Sequence, residues 1–329
     1  MTVEPAKPRV GPADLWNRFW FEPVSTATIA VYRIAYGIVL LAWSVAIAPN
    51  ALAFFSRQGI LPNHPPTGAR WGPLSWFGSD TAVIVFVALL MVAAVCIVAG
   101  FRTRIACAVA FVVLIALTRR NPFVFNSGDA LLRNISLFML AAPCGAALSV
   151  DAWRRGRDRF WNLPKRAPWA QRLIQIQVSM VYLFTFWAKV RGTRWTGGTA
   201  VAESMRVGDI ARIHIPYVLT NSLLVANLMT YGTLVVEASL AILIWNRRLR
   251  PYVIAAGIAL HLFIEVTFAL GFFSTVMITS YITFTPEDAM ERRLAGVRAR
   301  LRRSGSRAAK RIAEAGDRPG TARLDPLAP

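Results

Sequence analysis

The stretch TAVIVFVALLMVAAVCIVAG, residues 81–100, contains no charged side chain. An α-helix needs about 20 mostly apolar residues to cross roughly 30 Å of hydrocarbon, because there it must satisfy its own backbone polar groups. This stretch therefore predicts a transmembrane helix. The whole chain agrees, since 55% of its residues are hydrophobic and only 16% are charged, against about 45–50% and about 25% in soluble domains.

Apolar runs of similar length lie on both sides of this stretch and predict an all-α, polytopic transmembrane bundle of about eight helices. The third and eighth runs are short, and the eighth has the length of a re-entrant segment. The predicted spans are residues 26–48, 81–100, 105–118, 130–148, 173–190, 222–245, 252–270 and 272–284.

Basic residues predict the orientation of the bundle. Lysine and arginine number 37 against 17 acidic residues, a net charge of +20. Most of this charge lies between the apolar runs, which favours membrane topology over nucleic-acid binding. With eight spans and an inside amino terminus, most basic residues fall in the inside segments. The sequence thus predicts a multi-pass plasma-membrane protein with both termini in the cytoplasm and the lipid bilayer as its partner.

The termini differ from the membrane core. We divide the chain into a cytoplasmic segment (1–24), a transmembrane domain (25–286) and a basic cytoplasmic tail (287–329) that is partly disordered beyond Ser304. In both flanking segments apolar residues recur at helical spacing, which predicts interfacial amphipathic helices. These residues are Leu15, Trp16, Phe19 and Trp20 in the first segment, and Met290, Leu294, Val297 and Leu301 in the tail.

The fifth span carries a polar stripe. Gln175, Ser179, Tyr182 and Lys189 fall within one sector of a helical wheel, with the lysine at the predicted outer end. Ionisable groups inside spans are costly, so they are paired or functional by default. The alternative is that Lys189 snorkels to the headgroups as an ordinary flanking charge.

Other polar groups in the spans predict pairs. His261 and Glu265 are spaced i,i+4 in the seventh span, but two ligands are too few for a metal site, so no metal is expected. Structural ion pairs are predicted between Asp129 and Arg133, and between Arg33 and either Asp129 or Glu237. We interpret the three cysteines, Cys96, Cys107 and Cys144, as buried thiols.

Several motifs resemble one family. YLFTFWAKVRGTRWTGGTA, residues 182–200, resembles the lysine segment of vitamin K-dependent gamma-carboxylases and of their bacterial relatives, the HTTM (horizontally transferred transmembrane) family. The matching positions there are Tyr182, Lys189, Trp195 and either Gly197 or Gly198. HLFIEVTFALGFFSTVMITSYITFTP (261–286), GFRTRIACAVAF (100–111) and RIAYG (33–37) are similar to further family segments, in the same order.

The resemblance implies a function. In the carboxylases the lysine deprotonates reduced vitamin K, so Lys189 is the implied base and a menaquinol or vitamin K hydroquinone the implied cofactor. Desolvation disfavours the charged ammonium and makes a neutral amine available. His261 and Glu265 are then expected to assist proton transfer and Tyr182 to orient the site. The residues expected to bind substrate are Trp195, Gln175 and Glu237.

Two departures count against full glutamate carboxylation. The animal enzymes carry a large extracytoplasmic domain after the membrane core, and an Asn-Asn-His sequence where this chain has Asn126, Ser127 and Gly128. The alternative is a non-enzymatic membrane partner for maturation, export or immunity of a secreted peptide, which a neighbouring secreted-peptide gene would favour. A transporter is a third interpretation, but no repeat symmetry supports it.

Overall fold

The computed structural model describes residues 11–62, 72–213 and 216–316. It is helical throughout, apart from two short antiparallel strands, β1 (Val24–Ser25) and β2 (Lys165–Arg166). The helices are α1 (Pro12–Phe21), α2 (Ala27–Ile47), α3 (Ala51–Phe55), α4 (Pro73–Trp76), α5 (Asp80–Ala99), α6 (Thr103–Arg120), α7 (Ser127–Ala141), α8 (Val150–Arg154), α9 (Trp169–Val190), α10 (Thr193–Thr196), α11 (Ala200–Ser204), α12 (Tyr217–Asn221), α13 (Leu223–Ile242), α14 (Arg250–Thr267), α15 (Phe273–Ser280) and α16 (Glu287–Gly316).

A helix lies at each of the eight predicted spans, so the all-α fold class is confirmed. Five helices, α2, α5, α9, α13 and α14, are long and apolar enough to cross a membrane. The other three are α6, α7 and α15, and α15 continues as a turn of 3₁₀ helix to Phe284. The predicted end of the fourth span at Leu148 is wrong: α7 ends at Ala141, because Pro143 holds Ala142 in an extended conformation.

One end of the bundle gathers the segments predicted to lie inside. We call it the basic end: residues 11–25, 100–102, 142–168, 246–249 and 284–290. The strand pair joins the first of these segments to the third, and the Asp151 amide donates to the Gly100 carbonyl at 3.1 Å. Arg250, beside the fourth segment, donates to the Phe284 carbonyl at 3.0 Å.

The opposite end, the lysine end, gathers the segments predicted to lie outside. Arg120 donates to the Ser56 carbonyl at 2.5 Å, and Asn126 donates to the Leu270 carbonyl at 3.0 Å. The chain therefore alternates between the two ends as eight antiparallel passes require. Which end faces the cytoplasm stays a prediction.

Arg33 is fully buried, but its predicted pairing with Asp129 or Glu237 is wrong. Its guanidinium instead donates to the carbonyls of Ile97 (2.7 Å), Val98 (3.1 Å) and Leu148 (2.5 Å). The last carbonyls of a helix have no partner within it, and they lie at the negative end of its dipole. Arg33 thus caps the C-terminus of α5.

The predicted Asp129–Arg133 ion pair is also wrong. The Asp129 carboxylate accepts from the Trp43 indole at 2.7 Å and from the Asn126 amide at 2.8 Å. It forms half of a capping box at the start of α7, in which Asn126 accepts in return from the Asp129 amide. Both oxygens of the Asp129 carboxylate are therefore hydrogen-bonded without Arg133.

Helices α1 and α16 flank the bundle at the basic end. Leu15 and Trp16 of α1 are exposed. In α16 Met290 is buried, whereas Val297 and Leu301 are exposed apolar residues. The helix continues past Ser304 to Gly316, where the sequence predicts disorder. Residues 1–10 of the predicted N-terminal segment and 317–329 of the predicted tail lie outside the described residues.

Candidate functional site

A cavity of about 250 Å³ lies between α9, α13 and α14, toward the lysine end. Its wall is mostly apolar, with Phe263, Phe268 and Phe273 among the lining residues. The ionisable side chains that line it are Lys189, Glu237, Tyr182 and His261. The cavity thus combines an apolar wall with a small set of proton-carrying groups, as ligand sites commonly do.

Lys189 forms an ion pair with Glu237 across the contact between α9 and α13. The lysine side chain is 25% exposed and the glutamate side chain 8%. The ammonium also lies 4.8 Å from the centre of the Trp195 ring, within the range of a cation–π interaction. Lys189 therefore points into the bundle, and the snorkelling interpretation does not describe its side chain.

A hydrogen-bonded chain of three side chains lies beside this pair. The Tyr182 hydroxyl bonds to Nε2 of His261 at 2.7 Å and also to the hydroxyl of Tyr281. Tyr281 was not among the residues predicted from the sequence, although it lies within the stretch that is similar to the family. Only its place in that stretch could have singled it out, because a lone tyrosine near the end of an apolar run has no distinctive pattern.

Two buried polar atoms at the cavity have no partner among the described residues. They are Oε2 of Glu237 and Nδ1 of His261. Buried polar atoms are nearly always hydrogen-bonded, so each exception needs an explanation. Both residues line the cavity, where a bound molecule would supply the missing bonds.

Comparison with known families identifies the domain that carries this cavity. The model of the HTTM domain matches residues 21–288, which is most of the chain. This chain belongs to the HTTM domain family. No curated protein and no solved structure matches it.

In this HTTM domain Glu265 does not join His261. Its carboxylate pairs with Arg212 at 3.1 Å and is 36% exposed, whereas His261 is buried against Tyr182. The i,i+4 spacing allowed a contact along α14, but each side chain has a stronger partner on another segment. The predicted role of Glu265 in proton transfer is therefore not supported by its position.

Gln175 likewise does not line the cavity. Its amide donates to the Thr283 carbonyl at 2.6 Å, and its oxygen accepts from Arg172 at 2.9 Å. The bond to Thr283 ties α9 to the segment after α15, and the bond from Arg172 lies within α9. The predicted substrate-binding role thus fits Trp195 and Glu237, which line the cavity, but not Gln175.

The wall next to the lysine pair depends on a glycine. Gly198 has φ +77°, and a Cβ there would lie 2.1 Å from Oδ1 of Asn227. Gly197 has an ordinary φ of −80°. Of the two glycines that the family pattern allowed, Gly198 is the one that the backbone requires. On the neighbouring helix α11, the Glu203 carboxylate accepts hydrogen bonds from Thr199 and Arg194. These bonds lower the pKa of the Glu203 carboxyl group.

We expect Gly198→Ala to lower the free energy of unfolding by about 1–3 kcal/mol from its positive φ alone. The contact with Asn227 adds to this loss. The thermal unfolding midpoint of the purified protein in detergent measures the effect. Gly232→Ala is the control, because no atom lies within 4 Å of a Cβ at that helical position. Equal midpoints for the two variants would contradict the assignment.

At Gly128 the start of α7 packs closely against α15. A Cβ at Gly128 would lie 2.7 Å from Cα of Phe273, so this position has no room for a side chain. The Phe273 ring in turn contacts the His261 ring, with their centres 5.4 Å apart. Close packing of α7 on α15 therefore leaves no room for a side chain at the position where the resemblance to the carboxylases predicted a departure from a histidine.

Proposed function

We propose that this HTTM protein binds a lipid-soluble quinol, such as menaquinol or vitamin K hydroquinone, and removes a proton from it at Lys189. The observation that carries the proposal is the Lys189–Glu237 pair at an apolar cavity, with buried polar atoms that lack partners. A quinol head has a flat aromatic ring and hydroxyl groups. It would therefore match both the aromatic wall and the unpartnered atoms.

The size of the cavity favours the head of such a molecule. Ligand pockets typically measure about 300–1,000 Å³, and this cavity, at about 250 Å³, is slightly smaller. A quinone ring system fits a space of this size, whereas its isoprenoid tail would remain among the acyl chains. A lipid-soluble ligand would reach the site by diffusion within the bilayer.

The Lys189–Glu237 pair can provide a neutral amine as the base without releasing a proton to water. If the shared proton moves from Nζ of Lys189 to the Glu237 carboxylate, the pair becomes a neutral amine and a neutral acid. A site of low dielectric constant favours neutral forms over charged ones. The free amine then accepts the proton of the quinol hydroxyl, and the resulting ammonium stabilises the quinolate oxygen.

The Tyr182–His261–Tyr281 chain provides the second part of the mechanism. Each member both donates and accepts protons, and His261 lines the cavity. His261 would orient the ring through its unpartnered Nδ1, while Tyr182 fixes the imidazole through Nε2. Trp195 would stabilise the Lys189 ammonium that forms again when the amine accepts the quinol proton.

The test uses the purified full chain in lipid nanodiscs with reduced menaquinone and oxygen. We expect a quinolate absorption band and, because the carboxylase resemblance implies that oxygen converts the quinolate to an epoxide with release of water, menaquinone epoxide by mass spectrometry. Lys189→Gln should lower the rate by at least about 100-fold, as loss of a general base does. Lys165→Gln is the control, because this exposed lysine lies at the basic end.

Equal product from both variants, or no product from the unaltered chain, would contradict the proposal. The alternative role as partner of a secreted peptide predicts a different pattern. Quinol would have no effect, and export or immunity would survive Lys189→Gln.

A further inference from the structure

A second cavity, of about 980 Å³, lies at the basic end. Six arginines and one acidic residue, Asp151, line it. The arginines are Arg102, Arg104, Arg154, Arg155, Arg159 and Arg166. One carboxylate cannot balance this charge, so the cavity, which we call the arginine cavity, strongly attracts anions.

Most of these guanidinium groups are unused within the protein. The guanidinium groups of Arg102, Arg104, Arg155 and Arg159 form no hydrogen bond or ion pair in the part of the chain that the structure describes. Of the other two, Arg154 lies 5.7 Å from the centre of the Phe101 ring. Unpaired arginines around one concave surface are the usual arrangement for binding phosphate groups.

The N-terminus of α6 opens on the same cavity. Its N-cap residue, Arg102, provides no side-chain cap, so the first amide groups of the helix lack a side-chain partner. Thr103, the first residue of α6, lines the cavity and is only 3% exposed, yet its hydroxyl has no hydrogen-bond partner. A helix N-terminus attracts negative charge, and a buried unpartnered hydroxyl supplies a further donor for it.

Exposed apolar side chains beside the arginines indicate a lipid rather than a free ion. Ile105 lines the arginine cavity and is 60% exposed. Val112, two turns further on the same face of α6, is also exposed, as are Phe101 and Trp153 near the cavity. Because α6 is one of the predicted spans, this face contacts acyl chains; a phospholipid joins such a chain to a phosphate group, whereas inorganic phosphate would contact the arginines alone. Aromatic residues of this kind are typical of the headgroup zone.

We propose that the arginine cavity binds the phosphate-bearing headgroup of an anionic phospholipid. The phosphate lies against the Thr103 hydroxyl and the N-terminus of α6, with the arginines around it and one acyl chain along Ile105 and Val112. The basic end is also the end that the charge pattern assigns to the cytoplasm, where the leaflet is rich in anionic lipid.

Native mass spectrometry of the full chain in a neutral detergent tests the proposal. We expect phosphatidylglycerol to bind more tightly than phosphatidylcholine. Arg104→Gln/Arg159→Gln should weaken phosphatidylglycerol binding by roughly tenfold or more, since charge-assisted hydrogen bonds are lost. Arg247→Gln/Arg248→Gln removes the same charge from an exposed turn at the same end and should leave binding unchanged.

Thr103→Val gives an independent measurement without a change of charge. It removes only an unpartnered hydroxyl, so the protein should fold normally and bind the lipid several-fold more weakly. Equal loss in both arginine double variants would mean diffuse attraction and would overturn the proposal. Inorganic phosphate that binds as tightly as phosphatidylglycerol would overturn the choice of a lipid.

Discussion

Replacement of Lys189 by methionine is expected to lower the free energy of unfolding by about 3–5 kcal/mol, because it leaves the buried Glu237 carboxylate without its counter-charge. Glu237→Leu should cost a similar amount, since it leaves the ammonium unpaired. Each single change also leaves one unpaired charged side chain at the apolar cavity wall, where the bilayer cannot solvate it.

The double variant Lys189→Met/Glu237→Leu should regain most of the lost stability. Apolar residues of similar volume often replace a buried pair at no cost. Unfolding in mixed micelles, run as a double-mutant cycle, measures the coupling between the two sites. The Arg212–Glu265 pair is the control, because its partners are 47% and 36% exposed and Glu265→Gln should cost under about 1 kcal/mol.

This cycle separates stability from function. If the pair is only structural, the double variant should behave as the unaltered protein in every assay. If the proposed chemistry is right, it should be stable and yet form no quinolate. Additive losses in the cycle would contradict the pairing itself.

Arg33→Met should have the second large effect, a loss of roughly 3–5 kcal/mol in the free energy of unfolding. The change leaves the carbonyls of Ile97, Val98 and Leu148 without their donor, and each unsatisfied buried group costs about 1–3 kcal/mol. The guanidinium also packs closely against Gly100, where a Cβ would lie 2.3 Å from it. The turn between α5 and α6 would therefore lose its anchor.

Arg33→Lys should recover only part of this loss, since one ammonium cannot match the fork that reaches both groups of carbonyls. Arg133→Met is the matched control, being an arginine within a predicted span whose predicted ion pair is not formed. It should lose little stability. Unfolding midpoints in detergent give the comparison, and equal losses at Arg33 and Arg133 would refute the capping role.

Sequence periodicity predicted the helices because each span must satisfy its own backbone, and this leaves a strong local signal. The polar stripe of α9 was predictable because helical spacing shows which side chains share one face of a helix. Partners across helices were not, since i,i+4 spacing shows which residues share one helix face and nothing about the neighbour. We therefore predicted partners for Glu265 and Asp129 on their own helices. In the structure Glu265 pairs with Arg212, and Asp129 accepts a hydrogen bond from Trp43.

The arginine cavity could not be predicted from the sequence, for a different reason. In the sequence, Arg104 and Arg159 count equally as charges that orient the chain, with no indication that they line one space. Similarly, the pattern allowed Gly197 or Gly198, and only the backbone conformation distinguishes them. Such features depend on tertiary geometry that has no local period.

The polar stripe of α9 has a mechanical consequence. From one end to the other, this helix is fastened through Gln175 to Thr283, through Ser179 to Trp245, and through Tyr182 and Lys189 to α14 and α13. A slide of one turn, about 5.4 Å, would break all of these fastenings at once. Helix α9 is thus bonded to its neighbours at four positions along its length, and a movement of the whole helix would have to break these contacts together.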